Sequence, residues 1–350
     1  MKMTTNRYEY IDALRGIAIL FIVFGHIPMF CYGLSEAAQL SSFRALTSMV
    51  QLPLFFFISG FLFSVKIIFN KLGGVKIEYI SRRVRQLLLP AIVFGGLYLL
   101  VNGGSVLECI MDKFKSGYWF TWSLFEFLMV QVILEWIVRK FAWKEDGAKY
   151  AIVCMGGALG MYVLSLPIVY NQMSALSGIL GLPLLRYFLY FVVGRLIRVH
   201  LYKLCMWEYR DVAVAMIVMI FAGLAIATWG INKAWDGIFF HLHLILFELS
   251  ALLLFFAMFY RHRNYFVSSD RLMKVLVLVG RRTLDIYLLH YFFLPKDLHV
   301  VGSYFMAHPA PAIEFIVSFV VTIMIVAVCL LISEFLRSSQ LVAKWALGGK

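Results

Sequence analysis

IDALRGIAILFIVFGHIPMF, residues 11–30, decides the reading of this chain: Arg15 and His26 stand eleven residues apart inside the first long apolar stretch. On a helix that spacing makes about three turns and rises roughly 16 Å, so the two side chains share a face towards opposite ends of a membrane span. Placing such groups in hydrocarbon costs at least about 2.5 kcal/mol for an arginine at mid-depth, and less near an end, so each needs a function or a partner. Asp12, one turn before Arg15, offers a local ion pair. The rival reading of Arg15 is an anion site, because a guanidinium presents a planar, permanently charged fork to phosphate oxygens. For His26 the plain reading is a neutral imidazole bonded to a neighbouring helix.

The 350 residues are 62% hydrophobic, 17% aromatic and 15% charged, with a mean hydropathy of +0.86. Soluble domains use about 45 to 50% apolar residues, and repeated stretches near 20 apolar residues mark a polytopic membrane protein. The expected fold is therefore all-α: one integral membrane domain over residues 1–350. Apolar stretches predict ten transmembrane helices, at 10–30, 46–69, 84–102, 119–139, 149–169, 176–198, 211–231, 238–260, 272–294 and 312–337. With the amino terminus in the cytoplasm, 23 basic residues fall in inner loops against five outside, Arg44, Lys113, Lys115, Lys233 and Lys296. That asymmetry puts both termini in the cytoplasm. The first span lacks a small-residue cleavage site and is expected to stay as a helix.

The net charge of +13 does not imply nucleic acid, because the basic residues alternate between loops instead of gathering on one face. Five cysteines, Cys31, Cys109, Cys154, Cys205 and Cys329, show no CxxC pair and no zinc spacing, although a Cys31–Cys109 disulfide stays open. Neither GxSxG nor a Walker motif occurs, which argues against a serine hydrolase and an ATP-driven pump. No inverted repeat is visible, which disfavours a secondary transporter. A transporter or proton-coupled exporter nevertheless remains the alternative class for a bundle with buried His, Arg and Glu.

Four further segments carry polar groups. In QLPLFFFISGFLF, residues 51–63, Ser59 and Gly60 suit close helix packing, and Pro53 is expected to kink the helix. SRRVRQLLLP, residues 81–90, brings Arg82, Arg83 and Arg85 to the cytoplasmic start of the third helix, either to orient it among lipid headgroups or to join Arg15 in a basic mouth for a polyphosphate. GRRTLDIYLLHYFF, residues 280–293, places Gly280, Thr283, Tyr287 and His290 on one stripe and lets Arg282 pair with Asp285. Such stripes often only glue helices together, but His290 reaches a depth comparable with His26, which suggests a shared polar cavity. YWFTWSLFEF, residues 118–127, carries Trp119 and Trp122 for an interfacial belt and Glu126, a carboxylate that needs a partner. Outer aromatics, including Tyr118, Trp119, Trp229 and Trp235, could stack on sugar rings or merely anchor helices. His241, His243 and Glu248 lack metal-site spacing, and no metal is expected.

Taken together, RYEYIDALRGIAILFIVFGH, FFFISGF, RRVRQLLLP, WFTWSLFE and GRRTLDIYLLH resemble the membrane-bound acyltransferase-3 family over residues 7 to 290. The resemblance implies transfer of an acyl group, usually acetyl, from cytoplasmic acetyl-CoA to a hydroxyl of a cell-surface carbohydrate, in a bacterial inner membrane. His26 would then be the catalytic histidine with Arg15 as its motif partner, and Arg82, Arg83 and Arg85 would match the family's basic segment. Glu126 and His290 are the further catalytic candidates, and Ser59, Arg282 and Tyr287 the further donor-binding ones. The expected partners are acyl-CoA, the carbohydrate acceptor and membrane lipids. WFTWSLFE lacks the paired acidic residues of some relatives, and no hydrolase-like domain of the kind longer members carry is expected.

Overall fold

The computed structural model describes residues 8–34, 42–65, 68–70, 73–144, 147–166, 169, 171–200, 208–229, 238–267 and 270–348. Lys2, Arg7, Lys66, Lys71, Lys203, Cys205, Lys233, Trp235 and Lys350 lie outside the described residues, as do the side chains of Arg44, Arg210 and Trp229. In chain order the helices are α1 (Glu9–Cys31), α2 (Ser42–Phe61), α3 (Ile77–Asn102), α4 (Val106–Met111), α5 (Trp119–Lys140), α6 (Ala148–Leu164), α7 (Ser174–Ile179) and α8 (Phe188–Val199). They continue as α9 (Tyr209–Trp229), α10 (Ile238–Arg261), α11 (Arg271–Arg281), α12 (Thr283–Phe293), α13 (His299–Ala307), α14 (Pro311–Arg337) and α15 (Gln340–Trp345). Among the described residues the β-structure is an isolated bridge between Phe69 and Val75.

Five helical stretches are long and apolar enough to cross a membrane: Glu9–Cys31, Ile77–Asn102, Trp119–Lys140, His241–Arg261 and Pro311–Arg337. Shorter apolar helices lie at Met49–Phe61, Ala148–Leu164 and Asp211–Leu224. Their outward faces carry exposed large hydrophobics such as Leu100, Leu331 and Phe335, as a multi-pass membrane protein requires where lipid replaces water.

Three of the predicted spans differ from continuous helices, two of them for a local reason. The stretch 176–198 breaks where Gly181 takes a left-handed φ of 56° and Pro183 opens a 3-10 turn over Leu182–Tyr187 before α8 starts. The stretch 272–294 is two helices, because Arg282 leaves helical geometry (φ −102°, ψ 15°) and Thr283 Oγ1 donates to the Gly280 carbonyl at 2.6 Å. The stretch 46–69 ends at Phe61, whereas α2 runs on through Pro53.

The chain forms two compact units, one of Met1–Phe55 with Cys205–Glu334 and one of Phe56–Leu204 with Phe335–Lys350. In the first, α1 and α11 meet backbone to backbone. A Cβ on Gly280 would overlap the Asp12 carbonyl oxygen, and one on Gly16 would collide with the Leu276 carbonyl. Small residues are what permit that approach. Arg281 locks the same crossing by reaching Glu9 (2.9 Å) and Asp12 (3.3 Å) on α1.

In the second unit Gly60 and Gly194 play the equivalent part, with Cβ positions that would overlap the Phe191 and Phe57 carbonyls. Phe56 stacks on Tyr187 with centroids 5.4 Å apart, and Tyr187 stacks in turn on Trp119 at 6.0 Å. Deeper in this unit Glu135 Oε1 accepts from Tyr150 (2.7 Å), Gln131 (3.1 Å) and the buried Arg195 (3.1 Å). A buried ion pair survives only with such added hydrogen bonds, since both charges have lost their water. Cys31, Cys109, Cys154 and Cys329 are free thiols.

Candidate active site

The regular part of α1 ends at His26, and the next five residues, Ile27–Cys31, widen into a π-turn. Pro28 favours the change, because without an N–H it cannot make the bond back to residue 24 that a regular helix would require. The turn closes with the Tyr32 N–H donating to the Ile27 carbonyl at 3.0 Å. Single π-turns inside helices recur at functional sites, where the extra width re-aims a side chain.

His290 stands in α12, completely buried, and its hydrogen bonds fix its tautomer. Its Nδ1 lies 2.8 Å from the Tyr287 carbonyl and 3.1 Å from the Ile286 carbonyl. Carbonyl oxygens only accept, so Nδ1 carries the hydrogen and Nε2 of the neutral ring keeps its lone pair. That Nε2 is 3.1 Å from Nδ1 of His26, which must therefore donate. The chain of inference ends at His26 Nε2, left with a lone pair that faces the Tyr291 hydroxyl at 3.4 Å. The two imidazole planes are inclined by 18°, and Phe30 approaches the His26 ring edge-on at 5.5 Å.

Two fixed imidazoles of this kind form a base with a backing acceptor: proton uptake at Nε2 places the new positive charge on a ring whose Nδ1–H already points at a lone pair. The arrangement suits general-base chemistry on a hydroxyl.

The predicted residues are distributed over the two compact units. His26, His290 and Tyr287 gather in the first unit, with Tyr287 and His290 ring centroids 6.1 Å apart. Arg15 lies half-buried on α1 in that unit. Arg282 was expected to pair with Asp285; it reaches Glu334 on α14 instead, because the break before Thr283 swings it out of register, while Asp285 accepts from Ser333.

In the second unit Ser59 is half-buried on α2 next to the tightly packed Gly60, and the three arginines of α3 part company. Arg82 is exposed, Arg83 lies 5.1 Å over the Tyr79 ring and donates to Gln86, and Arg85 lies 5.7 Å over Trp345 of α15. Glu126 accepts from Trp122 Nε1 at 3.1 Å through Oε1, and its buried Oε2 has no hydrogen-bond partner among the described residues. Nearby, Lys115 donates to the carbonyls of Ile110, Asp112 and Gly178 at 2.6, 2.9 and 2.8 Å. Burial lowers its pKa below the usual lysine value, against the opposing pull of Asp112 and Glu126.

Sequence reasoning missed three features. Tyr291, beside His290, was legible as a polar neighbour of the stripe. Arg195 and Glu135, sixty residues apart, had no sequence signal linking them. The π-turn left only Pro28 as its trace.

An acyltransferase domain family matches residues 8–334. Nodulation protein NolL of Mesorhizobium japonicum is 28% identical over 141 residues, a stretch that makes up 37% of this chain and 37% of that protein. The chain thus matches little more than a third of this relative's length. No solved structure matches the chain. With nearly the whole sequence inside one family model, the chain belongs to the acyltransferase-3 family.

Proposed function

We propose that this enzyme moves an acetyl group from acetyl-CoA to a hydroxyl of a cell-surface carbohydrate or its lipid-linked precursor, in a bacterial inner membrane, with His26 as general base. The observation that carries the reading is the tautomer chain from the Tyr287 carbonyl through His290 to His26, which leaves His26 Nε2 unprotonated. The acceptor hydroxyl gives its proton to Nε2 as its oxygen attacks the thioester carbonyl. When the tetrahedral intermediate collapses, the C–S bond breaks and the thiolate takes that proton from His26, so ester and free thiol leave together and the base is regenerated. His290 stabilises the imidazolium in between through the Nδ1–H bond.

Arg15, in the same unit as His26, is the cation to which we assign the donor's phosphates, since a guanidinium fork suits phosphate oxygens. The test is thiol release from acetyl-CoA in membranes that supply the acceptor, coupled to glycan analysis of the strain. His26→Ala is expected to abolish both ester formation and acceptor-dependent thiol release. A variant that acetylates the glycan at the normal rate would remove His26 from the chemistry.

A further inference from the structure

The π-turn that follows His26 does not hold itself. A π-turn is rare, and the residue that closes this one, Tyr32, is fully buried and fastened at three points. Its backbone N–H closes the turn on Ile27. Its hydroxyl lies 2.8 Å from Ser318 Oγ on α14, and Ser318 Oγ in turn donates to Glu314 Oε1 at 2.8 Å. A serine hydroxyl has one hydrogen; with that hydrogen spent on the carboxylate, the Tyr32 hydroxyl must be the donor to Ser318.

Ser318 is held from below as well, since Thr322 Oγ1 donates to its carbonyl at 2.8 Å. On the opposite side Gly302 of α13 lies against Tyr32 so closely that an added Cβ would come 2.5 Å from the Tyr32 Cβ and 2.7 Å from its carbonyl oxygen. Glu314, Ser318 and Tyr32 are 2%, 0% and 1% exposed, and all three belong to the same compact unit as His26.

We propose that Glu314, Ser318 and Tyr32 are positioning residues: a hydrogen-bonded clamp that holds the π-turn open and thereby aims His26 Nε2. The inference rests on the reading of His26 as the base, and it adds to that reading the part of the fold that sets the base's direction. Without the Tyr32 hydroxyl bond the turn relaxes towards α-helical winding, and His26, its N-terminal neighbour, shifts against His290 and Tyr291. A shift on the ångström scale at a reacting group costs about 100-fold in rate.

The experiment uses the full-length protein carrying Tyr32→Phe, Ser318→Ala or Glu314→Gln. Three readouts are taken: kcat and KM for acetyl-CoA in native membranes, thermal unfolding in detergent, and the rate at which diethyl pyrocarbonate modifies His26, followed by peptide mass spectrometry with His262 as reference. We expect folded protein, an unchanged KM, a kcat lowered by about 10- to 100-fold, and faster modification of His26 with His262 unaffected. Unchanged kcat in folded variants overturns the proposal. So does a lowered kcat with an unchanged His26 modification rate, and so does loss of the folded state in all three variants, which would make the chain a purely structural one. Failure of the base reading is separable: it appears as activity in His26→Ala, whereas the modification rate reports the aim of His26 whatever its chemical role.

Discussion

Replacing His290 by alanine tests the backing of the base by its neighbour. In the resting site His26 Nδ1–H donates to His290 Nε2 at 3.1 Å, a neutral pair. Under the proposed mechanism His26 becomes an imidazolium in the transition state and the same bond becomes charge-assisted, inside a site whose second ring is completely buried. Hydrogen bonds to charged groups contribute about 1.5–3 kcal/mol net. At a factor of ten per 1.36 kcal/mol, loss of the acceptor lowers kcat by about 10- to 150-fold. The bond strengthens only as charge develops, so KM for acetyl-CoA is expected to stay put. Glutamine offers a carbonyl oxygen near the position of Nε2, so His290→Gln is expected to recover part of the loss. Initial rates of thiol release at saturating and limiting acetyl-CoA measure both parameters. Full activity in a folded His290→Ala enzyme, or a loss confined to KM, refutes the reasoning.

Two further expectations concern stability. Gly280→Val forces a side chain into the Asp12 carbonyl, where no flexible group can yield, so folded protein is expected to vanish from size-exclusion profiles in detergent; Gly96→Ala, with open space at that position, serves as the tolerated control. Glu135→Leu removes the carboxylate from buried Arg195 and is expected to cost about 3–5 kcal/mol, read as a large drop in thermal midpoint. Adding Arg195→Met should restore much of it, and a double variant as unstable as the single one would disprove the ion-pair account.

The membrane class and the helical architecture were legible because apolar composition is a bulk property that the bilayer imposes on every span. The breaks were less so. Gly181 and Pro183 are ordinary punctuation and could be weighed from the sequence, whereas the break at Arg282 has no Gly or Pro at its centre; it arises from Thr283 capping Gly280 and from Arg282 reaching Glu334. At the site, His26 and His290 were visible because each is costly in hydrocarbon. Their hydrogen bond, by contrast, needs the helices' register in three dimensions. Arg281 and Arg282 illustrate the limit: adjacent in sequence, they serve different helices, Arg281 facing α1 and Arg282 facing α14.

That register has a physical source. Gly16 precedes His26 by ten residues on α1, and Gly280 precedes His290 by ten residues across α11 and α12. The two glycines are the point at which the backbones touch. Ten helical residues rise about 15 Å, so two segments that leave a common contact in the same direction bring their histidines to the same height. Arg281, next to that contact, ties it to Glu9 and Asp12 and so resists sliding of one helix along the other. Aim around the helix axis is a separate matter, because a helix that only keeps its height can still turn its side chain away. The non-helical Arg282 adjusts the aim of His290, and the π-turn closed by Tyr32 adjusts that of His26. The histidine pair therefore depends on two kinds of contact: tight glycine packing that sets depth, and irregular backbone that sets direction. The irregular backbone keeps its polar groups paired: the Thr283 hydroxyl donates to the Gly280 carbonyl near one histidine, and the Tyr32 backbone N–H donates to the Ile27 carbonyl beside the other.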